Sequence, residues 1–177
     1  SLAPVRQKTL FQLKKYMSTF LGNNTDFIDE FTSYSNYFEF LSKLSLSINY
    51  AFLMGHGTVR AAVLGFENRK PTGEEIDEMK SIVREAMENG AIGISTGLIY
   101  PPGVYANEDE IIELCKVVKE YNGIYTTHIR NESEEIVQAV EEAINIARKT
   151  NISVIISHHK ITGKKNKGLS KKTLKLI

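Results

Sequence analysis

His128 and His158 are the residues of this chain best placed to do chemistry together. Each closes an apolar run, "GIYTTH" (123–128) and "ISVIISH" (152–158), and thirty residues separate them. Parallel strands lie about 4.8 Å apart, and an imidazole nitrogen binds a zinc ion at about 2.0–2.1 Å. Rings at the ends of neighbouring strands can therefore converge on one ion. Side chains alternate along a strand, so Val154, Ile156 and His158 are expected to point into one space with Ile124, Thr126 and His128. By the same alternation His159 faces away, as a supporting or structural residue. Two imidazoles are too few for a zinc site. Either further ligands come from elsewhere, or the pair does not bind metal.

Strand ends spaced in this way require alternating β and α units. Two amphipathic helices lead in over residues 1–46: the first carries Leu10, Leu13, Met17 and Phe20 at helical spacing and closes at Gly22, and the second is "NYFEFLSKLSL". Asn23 to Asn36 reads as a surface connection. A strand is expected over 47–55, followed by a short helix. Thr72 and Glu75 form a capping box that opens a helix to Asn89, and Asn107 caps another, with Ile111, Ile112, Leu114, Cys115 and Val118 inside. "SEEIVQAVEEAINIARKT" is a third, with Ile136, Val137, Val140, Ile144 and Ala147 on one stripe. Strands starting near 91, 124 and 152 give the βαβ period, hence a parallel sheet with right-handed crossovers. No G-x-G-x-x-G and no P-loop accompanies it. Polar residues instead gather at successive strand ends (55–57, 95–97, 128 and 158–159), the habit of a TIM (β/α)8 barrel. A whole barrel takes about 250 residues. The expected fold is thus α/β, a partial TIM barrel of about four parallel strands preceded by two helices, forming one domain over 1–177.

Composition narrows the partners. Of 177 residues, 42% are hydrophobic and 24% charged, and the net charge of +1 gives no reason to expect nucleic acid or an anionic membrane. No apolar run is long enough to span a bilayer. The seven lysines from Lys160 onward are read as a solvated tail (161–177, a loop and the start of a helix), because no aromatic residues interleave them. Cys115 is the one cysteine and falls on a helical apolar stripe, so it packs rather than reacts. A reduced, cytoplasmic protein is the expectation.

"GHGTVRAAVLG" (55–65), "GAIGISTGLIYPPGVYA" (90–106), "YTTHIRNE" (125–132) and "ISHHK" (156–160) together resemble the D-aminoacylase (N-acyl-D-amino-acid deacylase) family of the amidohydrolase superfamily. The opening "SLAPVR" is also similar to the stretch just after that family's metal-binding cysteine. The resemblance implies a TIM-barrel hydrolase that uses Zn2+ at the barrel mouth to remove the acyl group from a small-molecule N-acyl-D-amino acid. It implies that His128 and His158 are metal ligands, that Tyr100 stands on the substrate side, and that Lys160 faces substrate or metal-bound water. His56 and Arg60 match a stretch for which a structural role is favoured over a catalytic one. The family's H-x-H pair is absent, and its cysteine ligand would fall just before Ser1. Its catalytic aspartate and its carboxylate-binding arginine would lie beyond Ile177. No catalytic residue is therefore assigned within the chain, and the chain by itself is expected to be inactive. Two alternatives stand beside this. One is a noncatalytic α/β module that binds a ligand or partner, or associates with itself, through exposed strand edges near 47–54 and 152–157. The other is a dihydroorotase-like cyclic amidase, against which "STGLIYPPG" argues.

Overall fold

The computed structural model describes residues 3–22 and 24–177. Ser1, Leu2 and Asn23 lie outside the described residues, as does the side chain of Phe20. Helix α1 (Leu10–Leu21) follows a 3-10 turn at Gln7–Thr9 and stops at Gly22, whose φ of 64° a side chain would resist. Leu13 is buried and Met17 packs against the core, while Phe11 is exposed.

Within the stretch expected as a surface connection, Asn23 to Asn36, the described residues 24–36 do more than connect. A 3-10 turn at Asp26–Glu30 puts Ile28 and Phe31 into the core, with Tyr34 beside them. The reason is aromatic packing: Phe31 meets Tyr37 edge-on with ring centres 5.0 Å apart, and Tyr34 meets Phe52 at 5.9 Å. Helix α2 (Tyr34–Ser42) then starts with two anchors. The Ser33 hydroxyl accepts from the Asn36 amide at 3.0 Å, and Glu85 accepts from the Tyr34 amide at 2.9 Å.

The remaining chain alternates strand and helix: β1 (Leu53–Gly55), α3 (His56–Leu64), α4 (Gly73–Glu88), β2 (Gly93–Gly97), α5 (Glu108–Glu120), β3 (Ile124–His128), α6 (Ile136–Thr150), β4 (Ser153–Ile156) and α7 (Leu169–Thr173). Of the stretch 47–55 only the last three residues pair. Ile48 and Tyr50 lie exposed, because a strand persists only where β2 offers a partner, at Leu53↔Gly93 through Gly55↔Ser95. Both expected caps are present. Thr72 and Glu75 bond reciprocally, and Asn107 accepts from the Glu110 amide at 3.0 Å. Such caps contribute about 1 kcal/mol each. The expected α5 stripe is buried throughout, and burial pushes the Cys115 thiol up to about 12.

All four strands are parallel and their spatial order is their chain order, β1-β2-β3-β4. An open doubly wound sheet reverses its order at a switch point; this sheet does not, and it is a segment of a barrel wall. Met54, Ile94 and Tyr125 on one face are fully buried in the core that includes α3, α4 and α5. The opposite face is more open: Ile155 is 51% exposed. Residues 161–177 are not a solvated tail: Ile161, Leu169 and Leu176 pack against a cluster of Ile129 with Ile136, Ala139 and Val140 of α6, because these apolar residues, not the lysines between them, decide where the segment lies.

Candidate metal centre

β3 delivers His128 at its last position, in register with Gly97, and the Leu98 amide donates to the His128 carbonyl at 3.1 Å. β4 ends two residues short of His158, and the Ser157 amide still donates to the Thr127 carbonyl at 2.9 Å. His158 then takes a left-handed φ of 37°. The two rings meet edge-on, with centres 4.6 Å apart and planes at 81°.

One expectation about β4 is overturned. Thr126 pairs with Ile155, so Ile155 shares its face, whereas Val154 and Ile156 turn toward the helix layer. His158 still reaches His128 because strand alternation ends at Ile156 and the left-handed turn resets the direction of its side chain. His159 does face away, with Nε2 3.0 Å from the Thr173 hydroxyl on α7.

Glu132 was not singled out in the sequence, yet it joins the two histidines. It lies four residues after His128 in the loop that follows β3, and its Oε1 is 3.2 Å from His158 Nδ1 and 3.8 Å from His128 Nε2. The loop is tied down by Thr162, whose amide and hydroxyl donate to the Glu132 carbonyl at 2.7 and 3.1 Å. Lys160 completes the cluster: its Nζ is 2.5 Å from Glu132 Oε1 and 3.1 Å from His158 Nδ1. Burial pushes the Glu132 carboxyl up, but the Lys160 ammonium and the two imidazoles outweigh it and hold the group below the usual carboxylate range. The one sequence signal for Glu132 was its spacing after a strand-end histidine.

Tyr100 approaches from the loop after β2, in the preceding unit, with its hydroxyl 3.4 Å from His128 Nε2 and its ring edge-on to the imidazole at 5.2 Å. Its loop is clamped to the end of β3. Arg130 donates to the carbonyls of Val104 and Ala106 at 3.0 and 2.8 Å, while Glu142 holds the guanidinium through two bonds. Beside Tyr100 opens a cavity of 240 Å3 walled by Leu13, Met17, Phe66 and Pro101.

His56 and Arg60 belong to a different cluster. Both are fully buried on α3 and converge on Glu110 of α5, with His56 Nε2 2.8 Å from Oε1 and Arg60 donating to Oε2. Arg60 also donates to the Arg69 carbonyl at 2.6 Å. This is an internal brace between helices.

Among the described residues, His128, Glu132 and His158 form the one group of three such side chains whose donor atoms lie within 4.8 Å of one another. Two imidazoles with one carboxylate is a donor set that catalytic zinc sites use, leaving a coordination position for water or substrate. The residues fit a divalent ion by type, and the Lys160 ammonium marks the space as one that favours positive charge.

No protein-family model matches the sequence. D-aminoacylase of Alcaligenes xylosoxydans xylosoxydans is 45% identical over 157 residues, which are 86% of this chain and 32% of that protein. N-acyl-D-aspartate deacylase of the same organism is 39% identical over 148 residues, 83% of this chain and 30% of the relative. The chain thus spans about a third of the length of the relatives it matches. A crystal structure of D-aminoacylase, described as defining a novel subset of amidohydrolases, superposes on the whole chain with a TM-score of 0.84 at 40% identity and is covered to 36%. N-acyl-D-glutamate deacylase from Bordetella bronchiseptica, solved with zinc and a phosphonate mimic of the tetrahedral intermediate, matches 82% of this chain with a TM-score of 0.78 at 37% identity, and 31% of that protein is covered.

Proposed function

We infer that this chain, which belongs by sequence and fold with the D-aminoacylase family of amidohydrolases, supplies part of a metal-dependent site that hydrolyses N-acyl-D-amino acids. The observation that carries the reading is the convergence of His128, Glu132 and His158 donors beside the Tyr100 hydroxyl.

His128 and His158 are the proposed holders of a zinc ion, with Glu132 between them. When bound, such an ion lowers the pKa of water toward about 7 and polarises a carbonyl. Tyr100 is positioned to donate a hydrogen bond to the oxygen of the scissile amide, whose negative charge grows as the carbonyl carbon becomes tetrahedral. The Arg130 clamp keeps that hydroxyl in place. Lys160, half exposed at the mouth, offers a cation to an anionic substrate. The cavity beside Tyr100 gives an apolar substituent somewhere to go. Hydrolysis consumes one water: the acyl carbon gains its oxygen, the C–N bond breaks, and a proton passes to the leaving amine. The group that carries this proton is the aspartate that the family resemblance puts beyond Ile177. The 177 residues alone therefore bind zinc without turnover.

Two measurements test this. The chain is incubated with zinc and N-acetyl-D-methionine, and release of free amino acid overturns the assignment of the base. Zinc affinity is then measured by calorimetry. His158→Ala weakens binding at least tenfold while His159→Ala leaves it within twofold; the reverse ranking refutes the assignment of ligands.

A further inference from the structure

We propose that Lys160 guards the metal position, its ammonium and a divalent ion competing for Glu132 and His158. The inference rests on the reading that this centre takes a divalent ion.

Glu132 Oε1 and His158 Nδ1 stand 3.2 Å apart and belong to two of the three residues whose donors converge. Lys160 Nζ already contacts both, at 2.5 and 3.1 Å. An ion held by both atoms at about 2.0–2.2 Å from each falls in the space that the ammonium fills. Like charges that close repel strongly, and they do so more where the carboxylate between them is poorly solvated. One cation has to leave. Glu132 is the fixed partner, 11% exposed and anchored through its backbone by Thr162. Lys160 is the movable one, with a 50% exposed side chain on a flexible four-carbon stem. The lysine thus has two opposed effects. It neutralises Glu132 and keeps the donors gathered while no ion is present, and it must swing outward to the open mouth when an ion arrives. Metal loading would then release a positive charge at the face that meets substrate.

Calorimetry with zinc and visible absorption with cobalt(II) read the competition directly. Lys160→Met keeps the stem and removes the charge, and it is expected to bind either metal at least tenfold more tightly than the parent. Lys160→Arg retains the charge and is expected within threefold of the parent. A second readout follows the amine itself: reductive methylation of Lys160, followed by mass spectrometry, should run at least threefold faster with saturating zinc than with chelator. Equal or weaker binding by Lys160→Met, or methylation unchanged by zinc, overturns the inference. If His158→Ala abolishes binding that Lys160→Met leaves unchanged, the guard fails and the metal centre stands. If no variant binds zinc or cobalt, both fail.

Discussion

Replacing Glu110 tests the brace that joins α3 to α5. The carboxylate has a 1% exposed side chain and receives both His56 and Arg60, which are wholly buried. His56 Nδ1 and Arg60 Nε have no hydrogen-bond partner among the described residues, so the cluster has nothing in reserve. Glu110→Ala leaves a guanidinium in the core held, among the described residues, by the carbonyls of Glu67 and Arg69 alone. Breaking a buried pair by removing one partner costs about 3–5 kcal/mol. A domain has about 5–15 kcal/mol in all, so the loss takes a large part of it. With a urea m-value of about 1–3 kcal/mol/M, the unfolding midpoint should fall by about 1 M or more. The double variant Glu110→Leu/Arg60→Met removes both charges and should recover most of that loss, since apolar replacement of a buried pair is often neutral or better. Urea unfolding followed by circular dichroism decides. A single variant within about 1 kcal/mol of the parent, or a double variant no more stable than the single, refutes the brace. Acid gives an independent check. Burial pushes the Glu110 carboxyl up, but His56 and Arg60 hold it below its ordinary 4.5. Its contribution is therefore present above that value and is lost as pH falls through the lowered one.

Gly93→Ala should unfold the sheet locally. A Cβ there would lie 2.9 Å from the Ile124 carbonyl carbon and closer still to its oxygen, across the β2–β3 ladder, and a cost of about 3 kcal/mol or more is expected. Thermal unfolding within a few degrees of the parent would contradict this. The two Arg69 hydrogen bonds, with help from the Thr72 amide, hold the Glu75 carboxyl down at about 2. The stability it contributes is complete above its ordinary 4.5 and disappears as pH falls through about 2, so Glu75→Gln should shrink the acid-induced loss in that window. An acid limb identical to the parent's would rule that out. Arg130→Met frees the Tyr100 loop, and hydrogen exchange at the Val104 and Ala106 amides should quicken about tenfold with little change in global unfolding. Unchanged exchange would mean that the loop holds itself.

The barrel wall was legible because its signals are local and redundant. The helix caps at Thr72 and Asn107, the apolar stripe of α5 and the thirty-residue period each depend on neighbours in sequence, and each appears in the structure. The lead-in was read less well. Ile28, Phe31 and Tyr34 sit among polar residues that suggest a surface loop, and tertiary contacts draw them inward, among them Phe31 with Tyr37 and Tyr34 with Phe52 and Glu85. Ile48 and Tyr50 carry strand-like patterning, yet without a paired neighbour they stay exposed.

At the centre the division is sharper. The sequence by itself determined that His128 and His158 stand at the C-terminal ends of consecutive parallel strands, His128 on the last position of β3 and His158 just past β4, because strand period and βα spacing bring those ends together whatever the loops do. It could not determine that β4 turns Val154 and Ile156 toward the helices, since register depends on which residue faces Thr126. Nor could it bring Glu132 between the rings and Lys160 against it, because both stand on loops whose paths are set by bonds made at a distance, as Thr162 bonds to Glu132. Alternation along a strand is a property of the backbone and can be counted from the chain. The path of a loop is a sum of tertiary contacts, so those two residues acquired their place only on folding.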